Sequence, residues 1–245
     1  MLLIDAGNSR IKWGWVEGSA ILATAAAARE GDGLPEAMLA AWSERQPQRV
    51  IVSNVAGPRF AETLRAWCSQ RWAIRPEFAA PQRCGYGVDT RYSEPGRLGV
   101  DRWLALIAVR DMAPVVVVDC GTAVTLDYLD PSGSHRGGVI LPGLRLMQES
   151  LYRRAPGILR ESNGRGPGAG ELLGIDTVEC IEHGSRNAVV GGIEQTVAQW
   201  RRAFGRFRLV ICGGDAPVIQ SLSKEEYHSE PHLVLRGLQI IANSK

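Results

Sequence analysis

The stretch PVVVVDCGTAVTLDYL, residues 114–129, decides how this chain folds. Four consecutive valines between Pro114 and Asp119 form a short apolar run, the pattern of a strand buried on both faces. The chain then turns through Asp119-Cys120-Gly121-Thr122 and leaves by a second β-rich segment, Val124 to Tyr128. A carboxylate at the end of a buried strand is costly unless it meets a cation or hydrogen-bond donors. The glycine two residues on lets backbone N–H groups approach an anion closely. Strand, Asp-x-Gly-Thr and strand together predict a hairpin suited to phosphate and metal. The plainer alternative is an ordinary β-turn opened by Asp.

The same pattern opens the chain. Leu2-Leu3-Ile4 runs into Asp5-Ala6-Gly7-Asn8-Ser9, then into a second apolar stretch holding a lone Lys12. The two Asp-x-Gly turns lie 114 residues apart in a chain of 245, so the protein reads as internally duplicated. Two such hairpins resemble the pair with which the actin-like ATPase superfamily holds ATP. That resemblance implies an α/β fold of two duplicated actin-like (ribonuclease H-like) lobes. Each lobe is a mixed sheet flanked by helices, with an ATP cleft between them. The lobes fall at residues 1–110, including a loop at 81–98, and 111–245.

Composition narrows the class. Hydrophobic content of 45% and charge of 22% are those of a globular protein able to bury a proper core. The net charge is only +2, and of 28 basic residues the lysines are Lys12, Lys224 and Lys245, with scattered arginines making up the rest. A nucleic-acid footprint would be clustered, so none is expected. The five cysteines fit neither a zinc spacing nor a secreted disulfide framework, which predicts reduced thiols and a cytoplasmic protein. Asp5 interrupts the N-terminal apolar run, so no signal peptide is expected, and no apolar stretch is long enough to span a bilayer.

Periodicity predicts strands near 2–6, 11–17, 20–26, 50–52 and 73–78, with helices opening at Pro35 and Pro58. Residues 81–96 carry no periodicity and predict a long functional loop, followed by a helix from about 100 to 111. The second half predicts strands near 115–119, 123–129 and 135–141, then a helix with Leu144, Met147 and Leu151 inward. An irregular Gly- and Arg-rich segment covers 155–170, and a long helix 177–204 carries Gly191-Gly192 as a point of close approach. A strand at 208–212, a helix at 216–222, a strand at 232–235 and a helix at 237–242 complete the pattern.

Several chemistries are excluded. No glycine precedes a lysine, so there is no P-loop, and no Gly-x-Ser-x-Gly elbow exists. His228 and His232 are separated by Pro231, which forbids one helical metal face and predicts solvated histidines.

The segment Arg97-Leu98-Gly99-Val100-Asp101-Arg102 carries a sharper resemblance. Gly-x-Asp-Arg at a helix start, between two phosphate turns, resembles the signature of type III pantothenate kinases. The likeness continues through Asp5 to Asn8, Tyr92, Asp119 to Ala123, Gly137-Gly138, Pro142-Gly143, Gly174 to Thr177 and Gly213-Gly214-Asp215. It implies transfer of the ATP γ-phosphoryl group to pantothenate, the first step of coenzyme A synthesis. It further implies Asp101 as general base, and Tyr92, Gly99, Val100, Asp101, Arg102 and Thr177 around pantothenate. Asp5, Ala6, Gly7, Asn8, Ser9, Arg10, Ile11 and Lys12 would cradle phosphates, with Mg²⁺ held by Asp5 through water. Gly121 and Thr122 would touch ATP, and Asp119 would hold a monovalent cation, K⁺ or NH₄⁺. The resemblance also implies a homodimer with the substrate pocket at the interface. Two alternatives stay open on the residues: a non-catalytic regulatory protein on the same fold, and another small-molecule kinase or phosphatase of the superfamily.

Overall fold

Alternation in the first residues sets the first sheet. In the computed structural model, which describes residues 1–154 and 173–244, strand β1 (Leu2–Ala6) buries Leu2, Ile4 and Ala6 on one face and Leu3 on the other. It pairs antiparallel with β2 (Arg10–Glu17), which pairs antiparallel with β3 (Ala20–Ala28). Helix α1 (Glu36–Ser43) brings Met38 and Trp42 onto the first of those faces. Strand β4 (Val50–Asn54) then pairs parallel with β1.

Helix α2 (Pro58–Trp72) starts on a proline whose fixed φ and missing N–H suit a first helical turn. Its Phe60, Leu64, Cys68 and Trp72, spaced four apart, close the same core, where Trp42 lies 5.6–6.1 Å from the rings of Trp13, Trp67 and Trp72. The helix ends at Ala73 in the left-handed conformation, its N–H bonded to the carbonyls of Cys68 and Ser69. The strand expected over 73–78 is therefore confined to β5 (Glu77–Phe78), parallel to β4.

The expected loop at 81–96 contains a small hairpin, β6 (Cys84–Gly85) and β7 (Val88–Thr90), turned by Tyr86 and Gly87 at φ 54° and 78°. Strands this short give alternation nothing to act on. A 3₁₀ turn at Pro95–Arg97 leads into α3 (Val100–Ala108), and a second at Arg110–Met112 replaces the last turn of the helix expected to 111.

The central strand read from the sequence is β8 (Val115–Cys120), with all four valines buried. There follow β9 (Ala123–Leu129), β10 (Ser134–Pro142), α4 (Leu144–Arg154), α5 (Thr177–Phe204), β11 (Arg208–Cys212), α6 (Ala216–Leu222), β12 (His228–Ser229) and α7 (Leu233–Asn243). The segment 155–170 lies outside the described residues. One face of β8 and β9, from Val116 to Tyr128, packs against Val189, Val190, Ile193 and Val197 of α5 and Ile219 of α6. Leu144 and Met147 join this core, whereas Leu151, a turn further on, is 44% exposed and outside it. Of the glycine pair in α5, Gly192 abuts Leu141, while Gly191 faces open space.

The strand and helix expected at 232–235 and 237–242 are one helix, α7, and the last strand is the two-residue β12. Pro231 ends the sheet segment, and Leu233, Val234, Leu238 and Ile241 bury one helical stripe through Gly237.

The first sheet has the order β3-β2-β1-β4-β5. In the second, β8 is flanked by β9 and β10 on one side and by parallel β11 and β12 on the other. The 3-2-1-4-5 arrangement thus occurs twice, and in the second, seven-stranded sheet β7 and β6 continue it beyond β10. The chain forms two compact units, Met1–Ala113 with Leu129–Gly137 and His232–Lys245, and Pro114–Tyr128 with Gly138–Pro231. The expected division near residue 110 is followed by two returns to the first unit. The later return is α7, which packs on α3, β1, β2 and β4.

Candidate active site

In the first unit the turn after β1 is tight and polar. The Gly7 N–H donates to the Arg10 carbonyl at 3.0 Å, and Asn8, Ser9 and Arg10 are exposed. Arg29 holds this turn from the end of β3. Its backbone N–H donates to Ser9 O at 2.9 Å and its Nε to Asn8 O at 3.0 Å. Asp5 and Lys12 are cross-strand partners, and Asp5 is also the register partner of Ser53 on β4. Ser53 is fully buried, and its hydroxyl has no partner among the described residues. Ala6 and Ile11 are core residues and Gly7 has no side chain, so of the eight positions from 5 to 12 these three offer a ligand their backbone only.

A second group sits where α3 begins. Asp101 lies in the first helical turn, where the helix dipole favours a negative charge, and its Oδ1 accepts from Arg102 N–H at 2.8 Å. Arg102 Nη1 donates to the Tyr92 hydroxyl at 3.1 Å, its guanidinium lying 5.9 Å from the Tyr92 ring centre. Val100 is buried and contributes backbone alone, whereas Gly99 is half-buried. Two residues the sequence did not single out complete the group. His135 of β10 stacks on Tyr92 with centroids 5.8 Å apart and planes 16° from parallel. Its Nδ1 lies 3.2 Å from Thr90 Oγ1, which accepts from the Tyr92 N–H at 3.3 Å. A lone histidine without a partner at ligand spacing gives no sequence signal. The parallel register His135↔Thr90 creates the contact.

In the second unit, the turn between β8 and β9 is pinned by main chain. Gly121 N–H donates to Ala123 O, Gly143 N–H to Thr122 O and Asp215 N–H to Cys120 O, each at 3.0 Å. A Cβ on Gly143 would overlap the Gly121 carbonyl, and one on Gly213, whose φ is +98°, the Cys120 carbonyl. Only glycine lets these segments lie against the turn. Thr122 is exposed and Asp119 half-buried. Burial pushes the Cys120 thiol well above its usual range, with the charges of Asp119 and Asp215 adding to the effect, so this cysteine is no nucleophile. Cys68 is likewise pushed up to about 12 by burial. No disulfide joins any of the five cysteines.

Thr177 is the exposed first residue of α5. Before it, Asp176 caps the helix by accepting from Glu179 N–H at 2.8 Å, and Glu179 Oε2 accepts from Ile175 N–H at 2.8 Å. The side-chain N-cap explains a carboxylate at 176, and Glu179 ties down the residue before it. His228 is an exposed strand residue, and His232 precedes α7 with Nε2 3.3 Å from Thr24 Oγ1, so the two form no metal pair. Among the described residues no three His, Cys, Asp or Glu side chains form a metal centre, and no helix is long and apolar enough to cross a membrane.

Two mixed sheets that share a five-strand 3-2-1-4-5 arrangement, each with an Asp-x-Gly hairpin leading from its first strand, define the actin-like ATPase and sugar kinase class. Solved structures agree on that fold. A Baf family protein from Campylobacter jejuni superposes with a TM-score of 0.58 at 22% identity, covering 100% of this chain and 98% of that one. The activator of 2-hydroxyisocaproyl-CoA dehydratase from Clostridium difficile, solved with bound ADPNP, gives 0.56 at 12% identity over 99% and 94%. Within the class, residues 1–199 match the model of type III pantothenate kinase. The type III pantothenate kinase of Nitrosococcus oceani is 39% identical over 253 residues, covering 99% of this chain and 93% of that protein. The chain belongs to the type III pantothenate kinase family.

Proposed function

We propose that this protein transfers the γ-phosphoryl group of ATP to the primary hydroxyl of pantothenate, opening coenzyme A synthesis. The observation that carries this is the family match along the chain, and the Tyr92–Arg102–Asp101 geometry supports it. Asp101 is the general base: a carboxylate fixed by the Arg102 N–H takes the proton that leaves the attacking hydroxyl. The Arg102 guanidinium forks onto the pantothenate carboxylate, and Gly99, Val100, Tyr92 and Thr177 complete the contacts. The exposed turn residues Asn8, Ser9 and Arg10, with Lys12, meet the phosphates, and Gly121-Thr122 meets ATP.

A donor set of one carboxylate, Asp5, beside a phosphate-binding turn fits Mg²⁺, which keeps several waters and prefers substrate phosphates to a protein cage. Bound there, the ion neutralises charge on the transferring group. Asp119, half-buried at the end of β8, offers carboxylate oxygens that would hold K⁺ or NH₄⁺. Replacing K⁺ by Na⁺ at constant ionic strength should then lower turnover sharply, and equal rates would remove the cation from the mechanism. A homodimer fits the exposed Ile140, Leu146 and Leu151 of the second unit, and sedimentation at a monomer mass in solution would refute it.

Incubation with Mg-ATP, K⁺ and pantothenate, followed by mass detection of phosphopantothenate, tests the activity. Absence of product from folded protein would overturn it in favour of a regulatory role.

A further inference from the structure

We propose that His135 and Thr90 are positioning residues that set the affinity for the acid substrate by holding Tyr92 in place. The inference rests on the pantothenate kinase reading of the site. Tyr92 is fixed on three sides. Its ring stacks on His135, its hydroxyl accepts from Arg102 Nη1, and its backbone N–H donates to the Thr90 hydroxyl. His135 and Thr90 are 0% and 1% exposed, so neither is itself a surface on which a ligand lands. Tyr92 and Arg102 are half-buried and reachable.

The hydroxyl of Thr90 links the two halves of this support. It takes the Tyr92 N–H and meets His135 Nδ1, which aligns the imidazole plane with the phenol plane. The backbone repeats the tie, because Arg91 N–H donates to the His135 carbonyl at 3.2 Å. A buried imidazole held by hydrogen bonds is a costly choice where a phenylalanine would serve packing alone. Here the ring nitrogen gives the stack one orientation, and Tyr92 passes that orientation to the Arg102 fork. Loss of the nitrogen or of the ring face therefore weakens acid binding, while the γ-phosphoryl transfer, which depends on Asp101, proceeds at its former rate once the substrate is bound.

The test compares His135→Phe, which keeps a ring face and loses the nitrogen, with His135→Leu, which loses both. Pantothenate dissociation constants by calorimetry without ATP, KM for each substrate and kcat are measured alongside melting temperature. The expected result is a pantothenate Kd and KM raised about threefold in the first variant and about tenfold in the second, the affinity equivalent of an aromatic pair. The KM for ATP and kcat should stay within about twofold. In a Tyr92→Ala background the His135 substitutions should add nothing, since they act through Tyr92. Additive losses in that background, or an unchanged pantothenate Kd in folded variants, would overturn the proposal. Should the His135 variants not fold, Thr90→Val removes the shared hydroxyl. A raised Kd then supports the proposal and an unchanged one overturns it. Wild-type protein that makes no phosphopantothenate would instead sink the activity on which the inference rests.

Discussion

The two Asp-x-Gly hairpins share a skeleton and differ in what holds their turns. In the first, Asp5 stands beside Ser53 of the next parallel strand; in the second, Asp119 stands beside Cys212 in the same register. The first turn exposes Asn8, Ser9 and Arg10 and hangs from Arg29. The second is clamped by backbone hydrogen bonds from Gly143 and Asp215, with no space for a side chain at 143 or 213. A carboxylate stands at the strand end in both hairpins. The restraint differs: one turn exposes three consecutive polar residues, and the other is held by main chain of its own unit.

The largest effect that tests this division separates Asp5 from Asp101. Asp101→Asn should lower kcat by roughly 10²–10⁴-fold, the usual worth of a positioned base, with both KM values and the melting temperature close to wild type. Asp5→Asn should raise KM for Mg-ATP as well as lowering kcat. A near wild-type kcat for Asp101→Asn with a raised pantothenate KM would move the base elsewhere. If the Asp5 variant kept its Mg-ATP affinity, the open hairpin would lose its assignment to phosphate.

Glycine replacements probe the restraint itself. Gly213→Ala and Gly143→Ala drive a methyl into backbone carbonyls and should each destabilise by about 3 kcal/mol or more. Gly7→Ala meets only the Arg10 carbonyl, at 3.0 Å, and should cost about 1 kcal/mol. For a chain of this size the gap corresponds to roughly 4–8 °C in melting temperature. Equal shifts in calorimetry would mean that the two turns are equally constrained.

The smallest effect concerns the strand neighbours. Ser53 buries a hydroxyl without a hydrogen bond among the described residues, so Ser53→Ala should leave stability unchanged or raise it by about 1 kcal/mol. A loss of stability on that replacement would show that the hydroxyl is satisfied after all.

Much of this was legible in the residues. The four valines before Asp119, the repeat of Asp-x-Gly and the Gly-Val-Asp-Arg at 99–102 pointed to fold and family, because buried strands and glycine turns leave local patterns. The capping role of Asp176 was not read from the sequence, since it shows only once its Oδ1 is seen to take the Glu179 N–H. The contact of His135 with Tyr92 and Thr90 was invisible, since it depends on a parallel pairing between residues 45 apart. The split of α7 into strand and helix failed for a related reason. A glycine at 237 that packs inward looks, in sequence, like a break.

The return of α7 to the first unit has a consequence for biosynthesis. Ribosomes deliver the chain from its N-terminus, and the second unit has all its segments once Pro231 has emerged. At that moment the sheet of β1, β2 and β4 still lacks the helix that packs on it, so Leu3 and its neighbours face water. The unit that begins first is therefore the one that finishes last. Stalled chains ending at residue 231 should show a protease-resistant second unit and a sensitive first one. Equal resistance of both in that assay would mean that the first sheet folds without its final helix.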